Sequence, residues 1–196
     1  KSKLDDPYKN KKAYKIFRVF EPFSKVKNQI ATRARNYNIT NAWIKCYELI
    51  HHFKLIPSKQ QTEITHFANA ELPGSFICAI HHYINTMTQC RYRWIASSMI
   101  GDNMLEDSYA LHRNFPKRWL MDKDCNGDMS ECKTVMAIGD TAYNYNLGNG
   151  KGVYLYTSDL GFGVSEDYNN QENLHLKANI GQILCGVVCL KEGGCM

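Results

Sequence analysis

Long apolar runs, cysteine pairs with metal-ligand spacing and internal repeats are all missing from this chain of 196 residues. No apolar stretch approaches the roughly 20 residues that a transmembrane helix needs, so the sequence predicts no membrane span. The eight cysteines form no CxxC pair and no close Cys/His set, which argues against a zinc site or a disulfide framework. The N-terminus, KSKLDDPYKNKK, has no secretory signal. We therefore expect reduced cysteines, no metal and a cytoplasmic location.

The charge of the chain is distributed unevenly. Residues 1–60 hold 14 Lys and Arg against 4 Asp and Glu, whereas the net charge of the whole chain is only +5. We interpret residues 1–37 as a basic N-terminal arm and residues 38–196 as a folded domain. A basic arm suits an anionic partner such as RNA, and a solvated tail explains the same charge equally well.

Hydrophobic periodicity predicts alternating helices and strands from residue 40 onward. In the first helix, which Thr40 can cap, the apolar spacing runs through Ala42, Ile44, Tyr47, Leu49 and Phe53. Three strands are predicted, over 63–69, 93–99 and 152–158, and helices over 41–53, 75–88, 130–138 and 174–190. This alternation predicts an α/β fold with a doubly wound, mostly parallel sheet, which normally needs at least about five strands to bury both of its faces.

Two strand ends in this pattern have the composition of a binding site. Asp159 directly follows the third strand, at the edge where open α/β sheets place their chemistry. The segment ANAELPGSF, residues 68–76, forms a second strand-loop-helix junction with Pro73 and Gly74 at the bend. Together they predict an enzyme that binds a nucleoside-like cofactor over the edge of the sheet.

Three segments, in this order and spacing, resemble the FtsJ-like 2′-O-ribose RNA methyltransferases, and most closely the mRNA cap-1 methyltransferases of large cytoplasmic DNA viruses. They are TNAWIKCYEL (40–49), NAELPGSF (69–76), and YTSDLGFGV followed by QENLHLKANIGQILCGVVCLKEGG. RWIASSM and NGDMS fall where the family has its second strand and a Gly-Asp that meets the adenine. The resemblance covers roughly residues 38–196 and implies a Rossmann-like fold that uses S-adenosylmethionine.

The resemblance implies a role for nine residues. Lys45 and Asp159 would be catalytic, with Asp159 orienting Lys45 and the methyl group. The backbone at the bend would approach the methionine moiety of the cofactor, the first amides of the following helix would meet its carboxylate, and Glu71 its ammonium. The residues implied to bind the cofactor are Glu71, Pro73, Gly74, Ser75, Phe76, Asp128 at the adenine and Asp102 at the ribose.

The chemistry explains why this family uses lysines and carboxylates. A ribose hydroxyl is a poor nucleophile at neutral pH, and a lysine held in its neutral form can act as its base. Without the resemblance, a helix lysine such as Lys45 is more often a surface lysine, and a strand-end Asp such as Asp159 is often only a turn former. The chain departs from the family pattern at three positions: Ala68 replaces an expected acid, Ser75 a glycine, and Leu160 a small residue.

We expect methyl transfer to the ribose 2′-hydroxyl of RNA, with the cap-proximal nucleotide of mRNA as the substrate. Capped mRNA or other RNA is the expected partner, together with a capping or transcription protein, in host cytoplasm or virion. Two alternatives stay open: an rRNA or tRNA ribose methyltransferase, and a degenerate subunit that binds RNA or a partner enzyme without catalysis.

A longer polypeptide is also expected from the sequence. The family's second catalytic lysine and its glutamate would follow Gly194 at positions beyond Met196, and an apolar strand is predicted to start at Cys195. In a chain that ends at Met196, we expect the strand over 152–158 to be an exposed edge with unpaired backbone groups. We expect the remaining strands and both residues to come from such a longer chain, and the 196 residues alone to be inactive.

Overall fold

A computed structural model describes residues 15, 24–34, 38–57, 63–100, 106–121, 126–145, 147, 150–161 and 171–196. The chain divides into two compact units, Lys1–Thr40 and Asn41–Met196. In the first unit, helix α1 spans Ser24–Arg33 and is followed by a backbone bond from the Ala34 amide to the Ile30 carbonyl. The interpretation of residues 1–37 as an arm stays a prediction.

The second unit alternates helices and strands, as the sequence predicts. Its strands are β1 (Glu63–Asn69), β2 (Arg91–Ala96), β3 (Val153–Ser158) and β4 (Leu190–Cys195). Its α-helices are α2 (Asn41–Phe53), α3 (Ser75–Met87), the short α4 (Leu111–Asn114), α5 (Cys132–Asn144) and α6 (Gln171–Cys189), with a 3₁₀ turn at Pro116–Arg118. None of the helices described here is long and apolar enough to cross a membrane.

The four described strands form one sheet in the order β2-β1-β3-β4, and every pair in it is parallel. Ala68 pairs with Ala96 and Asn69 pairs with Ser158, so the carboxyl ends of β1, β2 and β3 lie at one level. The predicted fold class, a Rossmann-like α/β fold with a parallel sheet, is confirmed. Residues that directly follow these three strands therefore meet at one edge of the sheet.

The sheet is packed on both faces. Phe67 and Ile95 lie in a core cluster with Val135 of α5 and Cys185 of α6. Their neighbours in the strands lie in a second cluster, which includes Ala68, Trp94, Ala96 and, from α3, Ile77. Because successive side chains of a strand point to opposite faces, this separation is what a doubly wound sheet requires.

Several predicted boundaries are wrong by a few residues. The second strand runs over Arg91–Ala96, where 93–99 was predicted. Helix α5 runs over Cys132–Asn144, where 130–138 was predicted. The buried residues of α2 are Trp43, Cys46 and Ile50, while Leu49 and Phe53 of the predicted apolar face are 40% and 62% exposed.

The last strand also begins earlier than predicted. Helix α6 ends at Cys189, before Gly193 and Gly194, and β4 starts at Leu190. Strand β4 pairs with β3 at Val153 and Leu155, with an irregular register between them. The prediction that β3 is an exposed edge is therefore wrong for the part of the chain that the structure describes. The expectation that further strands complete the sheet stays a prediction.

His66 connects three strands at the centre of the sheet. It is fully buried, its Nδ1 lies 2.7 Å from the Tyr92 hydroxyl of β2, and its Nε2 lies 2.8 Å from the Thr157 hydroxyl of β3. Burial lowers the pKa of His66 from its ordinary 6.5 to about 3. The imidazole therefore stays neutral in the folded protein at every pH above that value.

This gives a predicted pH dependence of stability. Between pH 6.5 and 3 the unfolded chain binds a proton at His66 that the folded protein excludes, so the free energy of unfolding should fall as the pH falls. At its steepest the fall is about 1.4 kcal/mol per pH unit. Chemical denaturation of wild type and His66→Gln across this range measures it, because all other titrating groups are shared. A stability difference that stays constant with pH contradicts the prediction.

Candidate active site

A buried amide joins the carboxyl ends of three strands. Asn69, 1% exposed at the end of β1, accepts a hydrogen bond from the Ser97 hydroxyl after β2 at 2.7 Å. Its Nδ2 donates to the Tyr156 and Ser158 hydroxyls of β3 at 3.0 and 3.3 Å. These bonds satisfy the side-chain amide and fix the end of β3, from which Asp159 follows directly.

Lys45 and Asp159 meet at this edge although 114 residues separate them in sequence. The Lys45 amine, from the middle of α2, donates a hydrogen bond to Oδ1 of Asp159. The two side chains are 50% and 39% exposed, so a substrate can reach them from solvent. The two residues implied to be catalytic are thus brought together.

The side chains around this pair are mostly apolar. The Phe76 ring lies 5.7 Å from the Lys45 amine, and the Phe76 carbonyl accepts a weak bond from the buried Cys46 thiol at 3.8 Å. Burial, with the nearby charges of Glu71 and Asp159, raises the pKa of the Cys46 thiol well above its ordinary value. The thiol is therefore a packing group and not a nucleophile.

A cavity of about 960 Å³ is lined by Cys46 and Ser158, the chain neighbours of Lys45 and Asp159, but not by Lys45 or Asp159 themselves. Its walls come from α2, α6, the carboxyl half of β3 and the first turn of α3. Polar groups on the wall are few: Thr157, Ser158, Asn179 and Gln182. The larger apolar wall includes Leu49, Ile50, Phe53, Phe76, Ile183 and Met196.

One carboxylate oxygen of Glu71 accepts hydrogen bonds from the first turn of α3. It is 6% exposed, and its Oε1 accepts the amides of Phe76 and Ile77 in the first turn of α3 at 2.9 and 3.0 Å. Burial raises the pKa of Glu71 to about 8, against the opposing effect of these two amides. The predicted contact of Glu71 with a cofactor ammonium stays a prediction, since these bonds engage Oε1 alone. Of the first amides of α3, which are predicted to meet the cofactor carboxylate, those of Phe76 and Ile77 donate to Glu71.

The bend before α3 is covered by the segment that follows β2. Gly74 has φ +116°, in the left-handed region, and a Cβ there would lie 2.4 Å from Cδ1 of Leu111. The Ser75 hydroxyl lies 3.4 Å from the Tyr109 hydroxyl. The backbone conformation therefore favours glycine, and a side chain there would displace the end of the Leu111 side chain. The prediction that a side chain at Gly74 would block the path of the cofactor stays a prediction, and the contact that the structure shows for a Cβ there is with Leu111.

Asp128 lies in a turn held against the chain after β2. Gly127, at φ +78°, packs so closely that a Cβ would lie 2.2 Å from the Ser98 carbonyl, and the Ile100 amide donates to the Asn126 carbonyl at 2.7 Å. Asp128 itself accepts the Ser130 amide at 2.9 Å and is partly exposed. The turn thus places a second carboxylate beside the carboxyl edge of the sheet.

The structure places eight of the nine sequence-predicted residues. Lys45, Phe76 and Asp159 converge on one site, and Asp128 lies beside the end of β2. Glu71, Gly74 and Ser75 contact other parts of the protein, and Pro73 is half-buried in the bend, after a cis peptide bond. Asp102 lies outside the described residues. Within the described ranges, no group of three or more His, Cys, Asp or Glu could hold a metal ion. Asn69 was missed, although an amide that ends a strand was the signal for it.

Replacing Glu71 tests its role at α3. Glu71→Ala leaves two buried amides without an acceptor, so we expect the free energy of unfolding to fall by about 1–3 kcal/mol. Glu71→Gln keeps an oxygen acceptor of the same shape and should lose clearly less. Denaturant titration of both variants measures the difference. Equal stability of the two variants would show that Glu71 does not hold this helix.

Comparison with known proteins identifies relatives of this chain, although no family model matches it. The Probable methyltransferase EP424R of African swine fever virus (isolate Pig/Kenya/KEN-50/1950) is 33% identical over 212 residues, covering 100% of this chain and 48% of the relative. An uncharacterized protein of Acanthamoeba polyphaga mimivirus is 32% identical, covering 87% of this chain and 21% of the relative.

A vertebrate enzyme is related at lower identity. The Cap-specific mRNA (nucleoside-2′-O-)-methyltransferase 2 of Danio rerio is 27% identical over 166 residues, covering 79% of this chain and 21% of the relative. The chain spans about half the length of the African swine fever virus relatives that it matches. These similarities confirm the predicted relationship to methyltransferases of large DNA viruses and of mRNA caps.

Proposed function

We propose that this relative of viral and cap-specific methyltransferases belongs to an enzyme that transfers a methyl group from S-adenosylmethionine to the ribose 2′-hydroxyl of RNA. The proposed substrate is the cap-proximal nucleotide of mRNA, and the proposed location is the cytoplasm or a virion. The observation that carries the proposal is the bond between Lys45 and Asp159, which joins α2 to the end of β3 at the exposed carboxyl edge.

The described residues fit S-adenosylmethionine in part. When bound, this cofactor supplies an activated methyl group on a sulfonium. Asp128 and Asp159 are the partly exposed carboxylates at the edge, and the close approach of Gly127 to Ser98 holds Asp128 there. Oε1 of Glu71 and the amides of Phe76 and Ile77 bond to one another, so we assign these three groups to shaping the loop and not to contacting the cofactor.

Lys45 and Asp159 are the groups that would act on the ribose. The carboxylate of Asp159 fixes the direction of the Lys45 amine, which leaves that amine a defined place at which to meet a hydroxyl. In its neutral form the amine can take the proton of the 2′-hydroxyl as the methyl group is transferred. Such a base must lie within hydrogen-bond reach of the hydroxyl, and the exposure of Lys45 permits it.

The test is a methyl-transfer assay on the intact protein with labelled S-adenosylmethionine. The substrates are a short capped RNA and a matched RNA whose first nucleotide already carries a 2′-O-methyl group. We expect label on the first RNA, at the cap-proximal ribose after nuclease digestion, and none on the second. Equal labelling of both RNAs, or label on a base, would contradict the ribose assignment. Absence of transfer to any RNA would overturn the proposed activity.

A further inference from the structure

A pair of aromatic rings and an arginine form a surface cluster away from the Lys45–Asp159 pair. The Arg118 guanidinium lies 5.1 Å from the centre of the Trp94 ring and 5.2 Å from that of Phe115. Trp94 belongs to β2 and is 6% exposed, whereas Phe115 is 45% exposed. The two rings meet nearly edge to face, at 5.9 Å and 82°. One large aromatic side chain is thus held rigidly at the surface.

More cations surround this cluster. Arg113 and Lys117 are exposed and flank Phe115 in sequence, and among the described residues neither they nor Arg118 are in an ion pair. Of the acids on the same segment, Asp107 accepts the backbone amides of His112 and Arg113 at 3.3 and 2.9 Å. Glu106, at the start of the described segment, is exposed. The positive charge therefore lies at the Phe115 end of the segment.

The same segment covers the bend before α3. Leu111 occupies the position that a side chain on Gly74 would take, and the Tyr109 hydroxyl lies 3.4 Å from that of Ser75. The Phe115 amide donates to the Leu111 carbonyl at 2.9 Å. This bond connects the aromatic cluster to the residues that pack on the bend before α3. The cluster is consequently fixed with respect to the carboxyl edge of the sheet.

We propose that Arg113, Phe115, Lys117 and Arg118 form a contact surface for single-stranded RNA, outside the reacting nucleotide. An exposed ring accepts a base by stacking whatever the base, and an arginine on an aromatic face keeps its N–H groups for phosphate. A protein partner or a lipid surface would use a wider apolar patch than one ring. The inference rests on the proposed function in assuming an RNA substrate.

The test measures binding and methyl transfer separately. Binding of the intact protein to a short uncapped single-stranded RNA is followed by fluorescence anisotropy at several salt concentrations. Phe115→Ala removes the stacking ring, and Arg113→Gln with Lys117→Gln removes two exposed cations that support no packing. Lys133→Gln with Lys177→Gln removes two exposed cations on α5 and α6 and is the matched control.

We expect Phe115→Ala to weaken binding about tenfold. The Arg113/Lys117 variant should reduce the slope of log affinity against log salt by about 0.7 for each lost phosphate contact. The Lys133/Lys177 variant should change neither. Wild-type affinity in both patch variants would overturn the proposal and leave the surface to a protein partner. Absence of RNA binding by the wild type would overturn it as well. If patch variants bind weakly while wild type transfers no methyl group, the proposed function fails and the surface stands.

Discussion

Lys45→Ala is expected to lower the rate of methyl transfer to capped RNA by about 10²–10⁴-fold, the usual loss on removing a general base. The fold should survive, because the pair is half exposed and such ion pairs contribute only about 0–1 kcal/mol to stability. Single-turnover rates at saturating cofactor measure the effect, with thermal unfolding as the check on folding. Asp159→Ala should lose a similar factor, since it leaves the amine without its orienting partner.

Two further variants test whether Lys45 acts as a base or only through its positive charge. Lys45→Arg keeps a cation that can still pair with Asp159, but a guanidinium does not lose its proton at neutral pH. We expect Lys45→Arg to be nearly as slow as Lys45→Ala if the amine takes the proton. Lys133→Ala, which removes an exposed lysine on α5, should keep the wild-type rate. Full activity of Lys45→Arg would show that Lys45 acts through its charge, and full activity of Lys45→Ala would remove it from the reaction.

The core of the fold could be predicted because its signals are local. Strand β1 has the bounds that the sequence predicts, since EITHFAN is an uninterrupted strand pattern ended by a turn. The face of α2 could not be predicted in the same way. Trp43 and Cys46 are buried by packing on α3, including the Cys46 contact with the Phe76 carbonyl, and such contacts have no signature in the spacing of α2 alone.

The residues of the site likewise divide into those that local signals predict and those that contacts distant in sequence define. Asp159 could be placed from the end of an apolar strand, but its pairing with Lys45 could be anticipated only through the family resemblance, because it joins residues far apart in sequence. The bond between Glu71 and α3 was missed, since a loop acid five residues before an amide gives no sign of its direction. The network at Asn69 was missed for a related reason, as three strands must meet before its partners are defined.

The apolar face of α6 leads to the second large expected effect, self-association of the 196-residue chain. Five apolar residues at helical spacing are exposed along this helix: Leu176, Ile180, Ile183, Leu184 and Val187, between 47% and 61%. Across the cavity that Ile183 lines, α2 exposes Leu49 and Phe53, and Met196 is 60% exposed. Apolar patches of this extent on a protein surface normally meet another surface, and β4 adds a strand edge.

Replacing Ile183 and Val187 together by lysine should therefore raise the dissociation constant of self-association at least tenfold. Burying each of these side chains contributes about 1.5–3 kcal/mol, and about 1.4 kcal/mol corresponds to a factor of ten. Met136→Lys on α5 is the matched control, because Met136 is 49% exposed outside this face and its replacement should leave association unchanged. Sedimentation velocity over a range of concentrations measures all three proteins. A wild-type chain that stays monomeric throughout, or a double variant that associates as the wild type does, would show that the face of α6 needs no cover.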